Sequence, residues 1–490
     1  MNISNSNSLS LAEFQAVILA GPGTNLSPLT RHYVRGHGLE EPVPKALLPV
    51  GNKEMLNYPL AWLDAAGVSD ILIVCPASHR SLMSHFVYSS AEFPALRITL
   101  QTIDDEDSMG TADVLREISS SIQADFIVLP CDFIPPPNLT LSSLLDAHRM
   151  DADGPILTSL LYERGEISKD GPPPLLVGLE EKSRTLVHIP VEESGDDVNL
   201  RMSMLWKAPS VLFTTRYLES HVYVFRRTVL DLLAERTDLS SIKEELIPWL
   251  CRTQYRVAAR RKYGSILKPI GNTQALALEH STVQPAAKPT RHYAKKKLDA
   301  GDAGADSPGG LQSPKSPPTA MNEENKANID IRCAFVVHKM ESGTAIRANT
   351  VKTYFDANRL VRHKGGGLSL LSAKIASFFY APRDYWIDPK AQISSDSLVG
   401  PSTKIAERTS IKKSVIGSHC VIGRNVRISG CVLMDHVVVK DGAKLDGCIL
   451  SRHTVVEEKC SAKESETATG VTLAAGGNEV AFTSGRALVY

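Results

Sequence analysis

Long apolar runs are missing from this chain. None of its 490 residues lies in a stretch close to the roughly 20 consecutive apolar residues that cross a bilayer as a helix, which argues against a membrane span. Net charge is missing too. Its 54 Lys and Arg balance 54 Asp and Glu, so no global field draws the chain to nucleic acid or to an anionic membrane. Cysteine is sparse, at eight, and the cysteines form no disulfide framework of the kind small secreted domains use. Cys75 and Cys131 fall in apolar, strand-like runs, where buried reduced thiols are common. The compact CxxC and HxxxH spacings of zinc sites are not found, so no metal is expected. The opening MNISNSNSLSLAEF lacks the basic start and apolar core of a signal peptide. These absences together predict a cytosolic address.

What is present is an ordinary globular composition, 43% apolar and 22% charged, long enough for two or three domains. The most informative feature is a repeat of seventeen residues. Ile411 to Arg427, Ile428 to Lys444 and Leu445 to Ser461 align without gaps. A branched aliphatic residue recurs every five or six positions: Ile411, Ile416, Ile422; Ile428, Leu433, Val439; Leu445, Leu450, Val456. That period fits neither a helix nor a single strand. It predicts a triangular β-solenoid with one inward aliphatic per face and three faces per coil. A weaker lead-in, Ile393, Val399 and Ile405, extends it to about four coils, or roughly 20 Å at the strand spacing of about 4.8 Å. His419, His436 and His453 share one slot in successive coils, and Cys431 and Cys448 share another. Stacking of equivalent side chains is what a solenoid does by construction, so a structural ladder is expected there rather than a metal site.

The N-terminal half alternates differently. FQAVILA, DILIVC, LRITLQT and DFIVLPCD read as buried strands, with helices over Met55 to Ala66 and Ala112 to Ile122 between them. Such a pattern predicts a parallel sheet covered on both faces. Further strands are expected around Pro155 to Leu161, Leu175 to Gly178 and His221 to Phe225, and LSSIKEELIPWLCR as a helix. The resulting division is an α/β domain over 13–271, a disordered linker or insertion over 272–328, a connecting strand and helix over 329–388, a solenoid over 389–462, and an unassigned tail over 463–490.

Chemistry-bearing residues gather where α/β sheets place ligands, at the carboxyl ends of strands. Gly21, Gly23 and Thr24 follow the first strand; Lys45 stands in PKALLPV; Gly110 and Thr111 stand in SMGTADVL; Asp132 ends a strand. Glycines after a strand can present N–H groups to phosphates, although GPGT alone also suits a plain tight turn.

With these residues in view, the chain resembles the nucleotide-sugar pyrophosphorylase family, in which such an α/β domain precedes a left-handed β-helix. The resemblance implies an α/β nucleotidyltransferase-like, Rossmann-like domain followed by a C-terminal left-handed β-helix of hexapeptide type. It also implies that Lys45 would bind substrate and that Asp132 would ligate magnesium. Departures accompany it. Asn25 stands where the family has an arginine that bears on pyrophosphate, and an amide cannot make that charge-assisted fork. RHYVRGHGLEEPV lengthens the first loop, Cys131 replaces a glycine before Asp132, and Ser220 and His221 stand where Asn-Ala-Gly is common. On that pattern the fold is kept and the reaction is not. Gly21, Gly23, Thr24, Lys45, Gly110, Thr111 and Asp132 then become a vestigial nucleotide-binding set, with no catalytic residue, no metal ligand and no cofactor expected.

KALLPVGNK, DSMGTADVLR, VLPCDFI, SSIKEELIPWL, YFDANR and SVIGSHCVIG are similar to the gamma-subunit family of eukaryotic translation initiation factor 2B. That resemblance implies a non-catalytic subunit of a multisubunit guanine nucleotide exchange factor. Its partners would be the other subunits, chiefly epsilon, and the GTPase initiation factor 2, with no membrane or direct nucleic-acid contact. In that family epsilon carries exchange activity on a C-terminal helical domain, which this sequence does not show after its solenoid. The alternatives are a nucleotide-sugar pyrophosphorylase with an unusual first loop or a regulatory homologue that binds a nucleotide sugar. An acyltransferase built on the solenoid is disfavoured, because the ladder histidines repeat without distinction.

Overall fold

The computed structural model describes residues 13–33, 40–89, 93–104, 109–149, 154–164, 175–190, 200–267, 331–362 and 386–474. The expected linker over 272–328 and the tail after 474 lie outside the described residues.

Ten strands form one large sheet. In chain order they are Phe14–Leu19 (β1), Asp70–Pro76 (β2), Arg97–Ile103 (β3), Asp125–Pro130 (β4), Leu157–Glu163 (β5), Val177–Glu180 (β6), Thr185–His188 (β7), Leu212–Thr214 (β8), Tyr217–Phe225 (β9) and Cys333–His338 (β10). Across the sheet the order is β8-β6-β7-β10-β5-β9-β4-β1-β2-β3. The expected parallel sheet is the β3-β2-β1-β4 portion, which pairs in parallel throughout. Beyond β4 the sheet is mixed: β9 runs antiparallel to both β4 and β5, and β10 parallel to β5. β1 and β4 are buried on both faces, which accounts for their continuous apolar runs. Two apolar cores lie one on each face, around Val17 and Phe126 on one side and Ile18 and Ile127 on the other.

Cys333–His338, read in sequence as part of a connecting segment, is an interior strand of this sheet between β5 and β7. Its non-local pairing gives no signal in a local pattern. The helix expected over 112–122 ends at Glu117 and tightens into a short turn, Ile118–Ser121.

Among the described residues the solenoid runs from Trp386–Ile387 and has three parallel faces of six, five and four strands. The seventeen-residue register holds: Ile411 pairs with Ile428 and Ile428 with Leu445, while Ile422 pairs with Val439 and Val439 with Val456. These residues, with Ile416, Leu433 and Leu450, form one buried core. The corners turn through left-handed backbone at the same step. Ser402, His419, His436, His453 and Gly470 mark one corner, and Lys413, Gly430, Gly447 and Glu464 another, all with positive φ. A left-handed residue costs about 1–2 kcal/mol unless it is glycine, so the repeat is held against a recurrent local penalty by its core. The histidine ladder forms as expected, with ring centroids 5.0 and 4.9 Å apart in successive coils.

One outward ladder of the solenoid, Leu398, Val415, Val432 and Ile449, is buried against Leu48, Val50, Met55 and Tyr354 of the α/β part. Hydrogen bonds fix the same junction. Asn52 Nδ2 donates to Ile416 O at 2.7 Å, and Arg452 Nη2 to Leu47 O at 3.1 Å. The lengthened first loop contributes a hairpin, Arg31–Tyr33 with Glu40–Pro42, whose Arg31 carbonyl accepts from Thr469 N at 3.0 Å.

Candidate functional site

The parallel order β3-β2-β1-β4 reverses direction at β1 and β4, and a crevice outside their carboxyl ends is where such sheets take ligands. The loop carrying Gly21, Gly23 and Thr24 leaves β1 there, and Cys131 and Asp132 leave β4.

Asp132 is fully buried. Its two carboxylate oxygens are both occupied by cations of this chain. Lys45 Nζ donates to Oδ2 at 2.8 Å and Arg347 Nε to Oδ1 at 3.0 Å, while Arg347 Nη2 reaches Oδ2 at 3.3 Å. Asn349 Oδ1 accepts a further bond from Lys45 Nζ at 3.3 Å. Arg347 is placed by backbone pairing: Phe133 and Ile134 form a two-strand ladder with Arg347 and Ile346, and Ala348 N donates to Asp132 O at 2.9 Å. Burial alone would raise the Asp132 carboxyl, but the Arg347 and Lys45 charges outweigh it and hold the group well below the usual carboxylate range. Burial likewise works against the Lys45 ammonium, yet Cys131 and Asp132 raise it. The Cys131 thiol itself is pushed up to about 11 by burial, so at neutral pH the anion facing Lys45 is Asp132.

Gly23 lies directly behind Lys45. It has φ +75°, and a Cβ there would come within 2.7 Å of the Lys45 Cβ, so glycine is required for the lysine to pack. Gly21 has open space at its Cβ position, and Thr24 and Asn25 are exposed on the short turn Thr24–Leu26.

Gly110 and Thr111 serve a different contact. A Cβ on Gly110 would sit 2.1 Å from Ser240 O. Ala112 N donates to that same oxygen at 2.8 Å, and Ile242 N donates to Thr111 Oγ1 at 2.9 Å. The two motifs SMGTADVL and SSIKEELIPWL are thus the two sides of one interlock. Arg116 strengthens it, donating to Leu233 O at 2.8 Å and Leu239 O at 2.9 Å. Beside the Asp132 cluster, His221 has φ +59°, and burial with the Arg347 and Lys243 charges keeps its ring neutral. Tyr223 OH donates to Glu219, whose Oε2 has no partner among the described residues.

Of the seven residues singled out in sequence, the structure therefore joins Gly23, Lys45 and Asp132 and assigns Gly110 and Thr111 to the interlock. Sequence reading missed Arg347 and Asn349. No local motif marks them, and only the ladder formed after the chain returns brings them to Asp132.

A family model for nucleotidyl transferases matches residues 15–283, more than half of the 490. The chain belongs to the nucleotidyl transferase family. A second family model, described as the LbH domain of EIF2B subunit epsilon, matches residues 377–476, which contain the solenoid. Among curated proteins the chain is 38% identical over 250 residues to the translation initiation factor eIF2B subunit gamma of Schizosaccharomyces pombe, covering 50% of this chain and 52% of that protein. It is 25% identical over 442 residues to the gamma subunit of Dictyostelium discoideum, covering 83% and 88%. With the gamma subunit of Caenorhabditis elegans it shares 30% identity over 254 residues, covering 50% and 59%. The matched region thus spans about half the length of the first of these relatives and most of the length of the second.

Proposed function

We propose that this chain is a gamma-type, non-catalytic subunit of the guanine nucleotide exchange factor for translation initiation factor 2, acting in the cytosol. It scaffolds an epsilon-type subunit that carries exchange activity and helps dock the GTPase. The similarity to gamma subunits of three organisms, spanning 83% of the chain in one of them, supports this reading over that of a nucleotide-sugar pyrophosphorylase. Exchange on a GTPase needs no covalent chemistry, only differential binding of its states.

The observation that carries the loss of pyrophosphorylase chemistry is the double ion pair on Asp132. A carboxylate that ligates magnesium must offer an oxygen to it. Both Asp132 oxygens are engaged by Lys45 and Arg347, and neither cation is free for a phosphate without breaking a buried pair. Asn25 adds to this, since it supplies no charge to a leaving pyrophosphate. Gly21, Gly23, Thr24, Lys45, Gly110, Thr111 and Asp132 are then a vestigial set; Gly23, Lys45, Gly110, Thr111 and Asp132 keep packing or bonding roles, whereas Gly21 meets open space and Thr24 is exposed.

The test combines chemistry and assembly. Purified chain with magnesium, nucleoside triphosphate and common sugar 1-phosphates should release no pyrophosphate above background. Magnesium should leave its melting temperature unchanged. Mixed with an epsilon-type subunit, it should co-elute on size exclusion. Pyrophosphate release abolished by Asp132→Asn, together with failure to co-elute, would restore the enzyme reading.

A further inference from the structure

Over the β7 and β8 end of the large sheet, against Val187 and Phe213, the chain carries a small basic and apolar surface distant in sequence from the Asp132 cluster. The short helix Met202–Lys207 lies across the segment following Gln254, since Lys207 Nζ donates to Gln254 O at 2.9 Å and Met204 packs with Tyr255 in a satellite core. Met204 faces inward. Met202 and Trp206, four residues apart and so on one helix face, are 59% and 74% exposed. Val257 at the start of the next helix is 54% exposed. An exposed tryptophan with an exposed methionine on the same helix face, and an exposed valine two residues after the Tyr255 that Met204 packs on, is the composition of an interface anchor.

The two segments that carry these residues hold charge of one sign, with Glu180 reaching the first of them at Ser210. Residues 200–214 and 252–262 contain no Asp or Glu. Arg201, Arg252 and Arg256 lie near enough to one another that burial and the other two arginines both act against the Arg256 cation. Arg256 and Arg260 each hold a buried Nε with no hydrogen-bond partner among the described residues. Buried guanidinium nitrogens are ordinarily satisfied, and like charges grouped without a counter-ion are unfavourable. Among the described residues no carboxylate pairs with Arg256, and the Trp206 ring is largely uncovered.

From this juxtaposition we infer that the surface of Met202, Trp206 and Val257 with Arg201, Arg256 and Arg260 docks another protein subunit through a segment that alternates carboxylates with large apolar side chains. The inference rests on the reading of the chain as a subunit of a larger assembly. Carboxylates would pair with the guanidinium groups through their Nη atoms, and an apolar side chain would cover the Trp206 ring.

Hydrogen exchange on the full chain, free and in the reconstituted exchange factor, tests it. Amides of 202–208 and 254–258 should gain protection on assembly. Trp206→Ser and Arg256→Glu should each weaken association by about tenfold or more, with the thermal stability of the free chain retained, and a Glu→Lys change in the cross-linked partner segment should rescue Arg256→Glu. An assembly that forms without protecting these amides, and is indifferent to both variants, overturns this inference while sparing the proposed function. Should no assembly form, that reading fails. The surface is then decided by a synthetic peptide alternating Asp with Leu. The peptide should shift Trp206 emission at low salt, and should not do so in Arg201→Glu/Arg256→Glu. No shift overturns the surface as well. Neutralising Glu192, Glu193, Asp196 and Asp197 should leave the free chain's stability unchanged. Destabilisation there would place the missing anions within the chain and overturn the inference.

Discussion

Arg347 reaches Asp132 across 215 positions of sequence and closes an ion pair with Nε 3.0 Å from Oδ1. The pair occupies the strand end at which α/β sheets take ligands. Its partner Lys45 comes from the opposite direction in the chain, so one buried carboxylate ties together the first loop, the end of β4 and the segment after β10.

Removing one cation leaves the carboxylate under-compensated. Arg347→Leu is expected to destabilise the chain by about 3–5 kcal/mol, the range for breaking a buried pair from one side. Urea unfolding of the purified variant measures it, and a loss below about 1 kcal/mol would mean that water already solvates Asp132.

Much of this molecule could be read from its sequence, for local reasons. The solenoid has a period, and the period dictates which residues face inward, so Ile422 and Val439 lie in the core as expected. β1 and β4 are continuous apolar runs because both faces are covered. The placement of Cys333–His338 inside the sheet could not be read, because its pairing partner in β5 lies more than 170 residues earlier. The candidate site divided the same way. Lys45 and Asp132 sit in recognisable motifs, whereas Arg347 is set by a two-residue ladder with no sequence signature. Gly110 and Thr111 were visible as a motif, but their use is fixed by Ser240, which only the fold brings near.

Gly110 carries a sharper prediction for that reason. Gly110→Val would drive a side chain into Ser240 O, which a backbone oxygen cannot yield to cheaply. Loss of the interlock should destabilise by about 3 kcal/mol or more, in the class of severe steric substitutions. Thermal melting reads it; a stable variant would show that the 240–242 turn moves freely.

His148 predicts a pH effect. Its ring is buried, with Nδ1 2.9 Å from Thr158 Oγ1, and burial together with the Arg226 and Arg149 charges pulls its pKa down to about 3. The unfolded ring titrates near 6.5. Between these values the unfolded state binds the extra proton, so stability rises with pH there and is lost as pH falls from about 6.5 toward 3. His148→Gln, which can keep a bond to Thr158, should flatten the stability curve between pH 6.5 and 4 by up to about 1.4 kcal/mol per pH unit relative to the parent. Denaturant midpoints across that range measure it; parallel curves would show that His148 titrates normally.

In the solenoid, Val439→Asp would bury an unpaired carboxylate between Ile422 and Val456. The expected cost is several kcal/mol, seen as insolubility or loss of assembly. A soluble variant with unchanged partner binding would contradict the inward register.

The most direct test of the account is release of labelled GDP from initiation factor 2, followed with this chain alone, with an epsilon-type subunit alone, and with both. The chain alone should give the spontaneous rate, and the pair should exceed epsilon alone, because a second chain that positions the GTPase lowers the entropic cost of docking. Equal rates for epsilon with and without this chain, or exchange by this chain unaided, would contradict it.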